Sequence, residues 1–240
     1  MSNHWFEFRQ FRIEQPAGVF RVGTDGVLLG AWAGAGRSDA VSILDIGTGT
    51  GLIALMLAQR FPQALITAIE PDKESFEVAT GNATASPWHD RITVINSSLD
   101  EYLSSGPEEY DLIVSNPPFY NHALKNPDPR KASFRHSGSL SVNDIVAAAR
   151  SLLAGTGALS LVLPWAEGNV AVANAALAGL YCSRMTKVRP LAASPFNRLL
   201  LEVEREKPGC AVNILTLGHP SHGGYTRDYI ELTRDFYPGF

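Results

Sequence analysis

The chain has 240 residues, of which 45% are hydrophobic and 18% are charged, and its net charge is -4 at pH 7. This composition excludes an intrinsically disordered chain and suits one domain with a buried core, while the net charge offers no global attraction to nucleic acid and leaves only a local basic face open. The N-terminal stretch "MSNHWFEFRQFRIEQ" has no apolar segment of the signal-peptide kind, so we expect a cytoplasmic protein without a membrane span.

Strand and helix patterns alternate along the chain. After a helix in "VLLGAWA" come the strand "VSILDI", the helix "GLIALMLAQR", the strand "ALITAIE" and the helix "DKESFEVATGNATAS", which Asp72 is placed to cap. The strands "RITVI" and "YDLIVS" follow, with a short helix around "LDEYLSS" between them. The helix "SVNDIVAAARSLLAG", the strand "GALSLVL", the helix "GNVAVANAALAGL" and the strand "NRLLLEVERE" complete the series. This alternation predicts an α/β fold with a mostly parallel sheet and helices on both faces.

The first strand of this series runs into a glycine-rich turn. In "LDIGTGTG", Asp45 stands at the strand end, and Gly47, Gly49 and Gly51 precede the helix. Ligands of parallel sheets bind beyond the carboxyl ends of the strands, and a turn without side chains lets a ligand approach the backbone closely. Glu70, at the end of the second strand, can accept hydrogen bonds from both hydroxyls of a ribose. These residues predict a nucleoside-binding half-site.

Two classes of cofactor have a ribose that an acid can hold in this place. A dinucleotide site uses G-x-G-x-x-G and sets the pyrophosphate on the helix N-terminus. Here the spacing is G-x-G-x-G, and Asp45 would repel a pyrophosphate. An acid at this position suits a cationic amino-acid end, and S-adenosylmethionine combines an ammonium, a sulfonium and a ribose. We therefore predict S-adenosylmethionine as the cofactor.

A stiff stretch that mainly offers hydrogen-bond acceptors follows the fourth strand of the series, in "DLIVSNPPFYN". Prolines lack a backbone N–H, and the first of the two prolines pushes Asn116 toward an extended conformation. Such a stretch suits a ligand group that donates hydrogen bonds.

Several of these segments resemble motifs of known enzymes. "LDIGTGTG", "AIEPD" and "SNPPFY" are similar to motifs of class I S-adenosylmethionine-dependent methyltransferases, and Asn-Pro-Pro-aromatic resembles those that methylate an exocyclic or amide nitrogen. "FRVGTDGVLLGAWA", "SPWHDRI" and "YTRDYIELTRDFY" resemble the bacterial family of tRNA1(Val) adenine-N6 methyltransferases, which modify adenine 37 of the anticodon loop. The resemblance runs from about residue 6 to residue 237.

This resemblance implies a Rossmann-like class I methyltransferase fold, with a mostly parallel seven-stranded sheet, helices on both faces and a short N-terminal extension. A single methyltransferase domain would span residues 1–240. Residues 1–40 would form the extension and the target-pocket segment, 41–206 the cofactor-binding and catalytic core, and 207–240 a C-terminal addition.

The resemblance also implies catalytic roles for Asn116, Pro117 and Phe119. The exocyclic amine of adenine is a poor nucleophile because its lone pair is delocalised into the ring. The Asn116 side-chain oxygen and the Pro117 carbonyl would each accept one N–H, which turns the lone pair toward the methyl group, while Phe119 stacks on the flipped base. No strong base is required.

Two further cofactor contacts follow from the resemblance. It places "GTDGV", with Thr24, near the methionine end of the cofactor and the target-base pocket. Related enzymes carry an aspartate after the third strand that contacts the cofactor adenine, whereas Ser98 stands at that position here and Asp100 follows two residues later. We expect Ser98 to contribute to this contact.

Two basic sets are candidates for binding RNA. The loop after the Asn-Pro-Pro motif holds one acid and four basic residues, which we predict to contact phosphates: Lys125, Arg130, Lys131 and Arg135. A merely solvated loop is the alternative. A second set flanks the late strands and would extend the same face: Arg184, Lys187, Arg189 and Arg198.

Three other functions stay open at this point. A protein-glutamine methyltransferase would use the same Asn-Pro-Pro chemistry, but we expect enzymes of that group to carry a helical N-terminal domain, and only 44 residues precede Asp45. A DNA adenine methyltransferase usually adds a recognition domain, for which this chain has little room. A non-catalytic nucleoside-binding protein would have no use for Asn116.

The sequence contains no pattern typical of a metal site. Cys182 and Cys210 stand far apart without CxxC or Cys/His spacing, so we expect free thiols. We expect a monomer whose partner is a tRNA substrate, with no membrane and no metal involved.

Overall fold

The computed structural model describes residues 4–37, 39–118, 140–206, 209–219 and 223–239. These ranges contain ten strands and seven helices. The strands are β1 (Trp5–Glu7), β2 (Arg12–Glu14), β3 (Ser42–Ile46), β4 (Leu65–Ile69), β5 (Ile92–Ile95), β6 (Tyr110–Ser115), β7 (Leu153–Pro164), β8 (Tyr181–Arg189), β9 (Arg198–Glu204) and β10 (Ala211–Thr216). The helices are α1 (Thr24–Trp32), α2 (Leu52–Arg60), α3 (Lys73–Ala85), α4 (Leu99–Ser104), α5 (Val142–Leu152), α6 (Trp165–Leu177) and α7 (Arg227–Thr233).

Eight of these strands form one sheet, in the order β10-β8-β9-β7-β6-β3-β4-β5. Neighbouring strands are parallel except at β9, which is antiparallel to both β7 and β8. The α/β class with a mostly parallel sheet is confirmed. The expected number of seven strands is wrong for this sheet, because β10 pairs in parallel with β8 and adds an eighth strand at the edge.

The sheet is buried on both faces. One apolar cluster combines residues of α1 and α2 with Phe8 and Phe236, and a second cluster combines residues of α5 and α6. Alternate residues of β3 belong to different clusters, since Ile43 packs in the first and Leu44 in the second. Helices therefore cover both faces, and the carboxyl edge of the sheet is the place left for a site.

Two polar side chains fix the connections around α2 and α3. The Asp72 carboxylate accepts a hydrogen bond from the Ser75 amide at 2.8 Å, which confirms it as the N-cap of α3. The Arg91 guanidinium donates to the carbonyls of Ala58, Phe61 and Ala64, at the end of α2 and the start of β4. Arg91, in the segment "SPWHDRI", thus satisfies carbonyls that the end of a helix leaves without partners.

The N-terminal hairpin of β1 and β2 is held from two sides. The Arg9 amide donates to the Phe236 carbonyl at 2.8 Å, and the rings of Phe8 and Tyr237 stack with centroids 5.9 Å apart. On the other side, the Glu14 amide donates to Asn82 Oδ1 of α3 at 2.9 Å. The hairpin therefore connects the C-terminal segment to the helix that follows β4.

The two cysteines differ from the expectation of free thiols. Cys182 of β8 and Cys210, directly before β10, form a disulfide with 5.1 Å between their Cα atoms. The pairing of β8 with β10 brings these residues together across a sequence separation of 28, and this neighbourhood is not visible in their spacing.

Within the described ranges, no helix is both long enough and apolar enough to cross a membrane.

Candidate active site

The turn between β3 and α2 has the backbone conformation that its glycines predict. Gly47, Gly49 and Gly51 have φ values of 71°, 60° and 83°, in the left-handed region that other residues rarely adopt. A Cβ atom added at Gly49 would meet no other atom within 4 Å. The turn therefore presents bare backbone to open space, which allows a ligand to approach it closely.

Asp45 lies under this turn and is fully buried. Its Oδ2 accepts a hydrogen bond from the Thr48 hydroxyl at 2.6 Å, whereas its Oδ1 is buried without a well-formed hydrogen bond to any part of the chain that the structure describes. Burial raises the pKa of Asp45 to about 7, and the Thr48 hydroxyl and the Ala54 amide offset only part of this rise. An acceptor oxygen without a partner at full burial fits a ligand that brings its own donor, above all a cationic one.

Glu70 lies at the end of β4, opposite the glycine turn. Its Oε2 accepts from the Gly49 amide at 2.9 Å, and its Oε1 accepts from the Asp72 amide at 3.0 Å. Burial raises the pKa of Glu70, while these two backbone hydrogen bonds lower it. A carboxylate has about four acceptor positions, so one on each oxygen remains for the two hydroxyls of a ribose.

Replacing Glu70 by alanine is expected to weaken binding of S-adenosylmethionine by about 1.5–3 kcal/mol, the range for a hydrogen bond to a charged group. Isothermal titration calorimetry measures this directly. Glu77→Ala is the matched control, because Glu77 is an exposed acid on α3. Equal affinities for wild type and Glu70→Ala would contradict the role of Glu70.

Asn116 lies on the other side of β3, since β6 pairs with β3 up to Ile46↔Ser115. The Ser115 hydroxyl donates to the Ile46 carbonyl at 2.7 Å and ties the two strand ends together. Asn116 Oδ1 is buried and accepts no hydrogen bond from any residue that the structure describes. The carboxyl ends of two neighbouring strands thus carry two buried oxygens without a hydrogen-bond partner in the described ranges, one on Asp45 and one on Asn116.

The start of α1 closes the site next to Asn116. A Cβ atom at Gly26 would come within 2.9 Å of Leu52 Cδ2 and 4.0 Å of Asn116 Nδ2, so glycine lets α1 approach closely. Thr24, the first residue of α1, is exposed. Asp25 accepts from Arg198 Nε at 3.0 and 2.9 Å, and this ion pair joins α1 to β9.

The pairing of Asp25 with Arg198 is not predicted from the sequence. The two residues are 173 positions apart, and Arg198 stands in the sequence as one of several basic residues. An acid beside the glycines of "GTDGV" is the one local signal that this helix start needs a basic partner.

Ser98 already has hydrogen-bond partners within the protein. It is the N-cap of α4, where its hydroxyl accepts from the Glu101 amide at 3.3 Å and donates to Glu101 Oε2 at 2.8 Å. The Ser98 amide, which donates to Glu101 Oε2 at 2.9 Å, and the Ser98 hydroxyl lower the pKa of Glu101. The residues just before Ser98 lie nearer to Glu70, whose carbonyl accepts from the Ser97 amide at 3.2 Å and from Asn96 Nδ2 at 2.8 Å.

The remaining predicted site residues follow Asn116 in the chain. Pro117 is buried directly behind Asn116. Phe119 and the first basic set, Lys125, Arg130, Lys131 and Arg135, lie outside the described residues.

The structure places the four residues of the second basic set in different surroundings. Arg184 belongs to the middle of β8, where it contacts Glu202 at 3.1 Å and lies 3.6 Å from the Trp32 ring centroid, so it does not extend a face at the carboxyl edge. Arg198 pairs with Asp25. Lys187 and Arg189 lie toward the carboxyl end of β8.

The structure thus brings together the glycine turn, Asp45, Glu70 and Asn116 at one edge of the sheet. This arrangement offers backbone amides, two buried carboxyl groups and an amide oxygen to a ligand that donates hydrogen bonds. No cluster of three or more His, Cys, Asp or Glu side chains suited to a metal occurs within the described ranges.

Comparison with solved structures shows the fold. An Agrobacterium tumefaciens protein described as an O-methyltransferase superposes with a TM-score of 0.67 at 19% identity, covering 88% of this chain and 96% of that chain. A Listeria monocytogenes protein described as a class I S-adenosylmethionine-dependent methyltransferase superposes with a TM-score of 0.54 at 17% identity, covering 80% of this chain and 64% of that chain. The fold is therefore that of the Rossmann-like methyltransferases.

Sequence comparison identifies the family. Residues 35–175 match the family model "Methyltransferase small domain". A Flavobacterium psychrophilum protein is 42% identical over 97% of this chain and 98% of its own length, and a Porphyromonas gingivalis protein is 43% identical over 99% and 96%. A relative from Aeromonas hydrophila is 42% identical over 98% of both chains, and all three carry the name tRNA1(Val) (adenine(37)-N6)-methyltransferase. The chain belongs to the tRNA1(Val) (adenine(37)-N6)-methyltransferase family.

Proposed function

We propose that this protein transfers a methyl group from S-adenosylmethionine to N6 of adenine 37 in tRNA1(Val). The single observation that carries the proposal is a pair of buried oxygens on neighbouring strand ends, Asp45 Oδ1 and Asn116 Oδ1, to which no described residue donates a hydrogen bond. One suits the cationic end of the cofactor and the other suits a neutral N–H donor. The names of the relatives support this choice of nucleotide.

The residues present fit the cofactor. Asp45 would hold the cationic amino-acid end, Glu70 the ribose hydroxyls, and the open backbone at Gly49 the body of the nucleoside. Thr24 would lie near the methionine end, and Ser98 near the adenine. S-adenosylmethionine supplies an electrophilic methyl group when it is bound.

The protein's own contribution is to orient the target amine. Asn116 Oδ1 and the Pro117 carbonyl each accept one N–H, which holds the amine with its lone pair directed away from the adenine ring. The family resemblance implies that Phe119 would stack on the flipped base. Neither Asn116 nor Pro117 can act as a strong base, so the extra proton of the product passes to solvent, and the two acceptors stabilise the positive charge that develops on nitrogen.

The test is to incubate the protein with methyl-labelled cofactor and, separately, with unmodified tRNA1(Val), duplex DNA and a glutamine-containing peptide. We expect label in tRNA alone, and nuclease digestion with mass spectrometry should locate N6-methyladenosine at position 37. A tRNA1(Val) with guanosine at position 37 is the matched control and should remain unlabelled. Label in the peptide or the DNA, or at another nucleotide, would overturn the proposed substrate, and no label in any of them would favour a non-catalytic nucleoside-binding protein.

On the basis of a tRNA substrate, we also propose a cytoplasmic location.

A further inference from the structure

Four side chains form a basic and aromatic cluster at the carboxyl ends of β7 and β8 and just before the start of β9, which we call the late-strand patch. Its members are Trp165, Lys187, Arg189 and Phe196. Lys187 Nζ lies 5.7 Å from the Trp165 ring centroid, and Arg189 Cζ lies 5.7 Å from the Phe196 ring centroid. The two ring centroids are 5.3 Å apart, and all four side chains are partly exposed.

The backbone holds these side chains together. Lys187 and Arg189 are two residues apart on β8 and therefore point to the same face of the sheet. Trp165 directly follows β7, and its amide donates to the Asn197 carbonyl at 3.1 Å, beside Phe196. Arg189 Nε donates to Thr216 Oγ1 at 2.9 Å, which fixes the guanidinium at the end of β10.

The patch carries two positive charges that no described acid neutralises. Among the described residues, Lys187 and Arg189 form no ion pair, and neither does Glu167 in the nearby first turn of α6. The acids of the neighbouring elements have other partners, because Asp25 binds Arg198 and Glu202 binds Arg184. Lys187 and Arg189 therefore attract anions locally, although the net charge of the protein is -4.

The late-strand patch lies close to Asn116 in the order of the strands. Asn116 follows β6, and β8 is three strands away in the order β6-β7-β9-β8, which corresponds to roughly 14 Å. Asp45, the glycine turn and Glu70, which fit the cofactor, lie on the opposite side of β6, on β3 and β4 and after them. The late-strand patch therefore lies on the side of Asn116 that faces away from Asp45 and Glu70, where the substrate would bind.

We propose that the late-strand patch binds the RNA backbone beside the target adenine. Lys187 and Arg189 contact phosphates of the flanking nucleotides, and the Trp165 and Phe196 rings hold the two cations in place. The proposal rests on the proposed function, since it takes RNA as the substrate.

The experiment compares wild type with the double variant Lys187→Gln/Arg189→Gln. Fluorescence anisotropy measures binding of a tRNA1(Val) anticodon stem–loop over a range of salt concentrations. We expect weaker binding, and a plot of log K against log salt that is less steep by roughly 0.7–0.9 for each phosphate that the variant no longer neutralises. Affinity for S-adenosylmethionine and turnover at saturating RNA should stay at the wild-type values.

Two further variants keep the test specific. Arg12→Gln/Arg150→Gln removes the same charge elsewhere, since Arg12 lies over the Trp5 ring in the N-terminal hairpin and Arg150 is exposed at the end of α5. It should keep the wild-type salt slope. Lys187→Arg retains the charge and should also retain the slope.

An unchanged slope in the patch variant would overturn the inference, as would an equal decrease of the slope in the Arg12/Arg150 control. Failure of the proposed function gives a different result, because wild-type protein would then neither label tRNA nor bind the stem–loop. If wild type labels tRNA and the patch variant keeps the wild-type salt slope, the RNA-binding role of the late-strand patch is wrong and the proposed function is unaffected.

Discussion

Asn116→Ala is expected to lower the turnover number by roughly 10²–10³-fold or more, the cost of removing one preorganised hydrogen-bonding group from an active site. Affinity for S-adenosylmethionine should hardly change, because the Asn116 oxygen is assigned to the target amine. Among the described residues no donor bonds to Oδ1, so its removal leaves none of them unpaired, and the variant should fold. Single-turnover assays with tRNA, together with calorimetry for the cofactor, measure both effects.

Asn116→Asp sharpens this prediction. A carboxylate still accepts the N–H of the amine, so this variant should retain more of the rate than Asn116→Ala does. Full activity in Asn116→Ala would exclude the proposed orientation of the amine by this side chain.

Asp45→Asn is expected to weaken binding of S-adenosylmethionine by about 2–5 kcal/mol, the usual cost of removing one member of a buried, hydrogen-bonded charge pair. Calorimetry at pH 7.5 measures the decrease in affinity. Asn keeps the size of the side chain and an acceptor for the Thr48 hydroxyl, so the change tests the charge. An affinity within twofold of wild type would contradict the assignment of the cationic end of the cofactor to Asp45.

The raised pKa of Asp45 adds a pH dependence to this prediction. Because the carboxyl of the free protein titrates at about 7, binding a cation at lower pH requires loss of a proton, and affinity should fall by up to about tenfold per pH unit below 7. Asp45→Asn should lose most of this slope. The slope that remains would report Glu70, whose pKa is also raised.

The same pKa has the opposite consequence for the stability of the free protein. A carboxyl whose pKa is raised from 3.8 to about 7 on folding contributes stability that is complete below pH 3.8 and is lost as the pH rises to about 7. At pH 8 the free wild type therefore carries the cost of a buried charge, and Asp45→Asn removes it. We expect the Tm of the variant to exceed that of wild type at pH 8, with a smaller difference at pH 5.

The parts of the structure that the sequence predicts depend on local signals. Helix α3 is predicted together with its cap, because Asp72 and the helical pattern stand side by side in the chain. Asp45, Glu70 and Asn116 are predicted as site residues because each stands at the end of an apolar strand, and parallel strands bring their carboxyl ends to one edge.

The parts that are not predicted from the sequence depend on distant partners. β8 mixes polar and apolar residues without the regular alternation that predicts a strand, and its polar side chains find partners elsewhere, as Thr186 does with Trp32 and Arg184 with Glu202. β10 is an exposed edge strand and is recognisable only once β8 is in place. At Ser98 a local interaction competes with a predicted role in the site. Its hydroxyl caps α4, whereas the resemblance places this residue at the cofactor adenine.

The contacts that hold the N-terminal hairpin determine how early in synthesis the cofactor site can reach its final structure. Asn82, which accepts from the Glu14 amide, also donates to the Thr50 carbonyl at 2.9 Å, so the hairpin supports the glycine turn through one side chain. The Arg9 amide donates to the Phe236 carbonyl, and Phe236 leaves the ribosome after every residue assigned to the cofactor. A nascent chain that already contains those residues would therefore still lack one of the contacts that hold the hairpin. Full affinity for the cofactor would then be acquired only once residue 236 has been made, later than the catalytic segment itself.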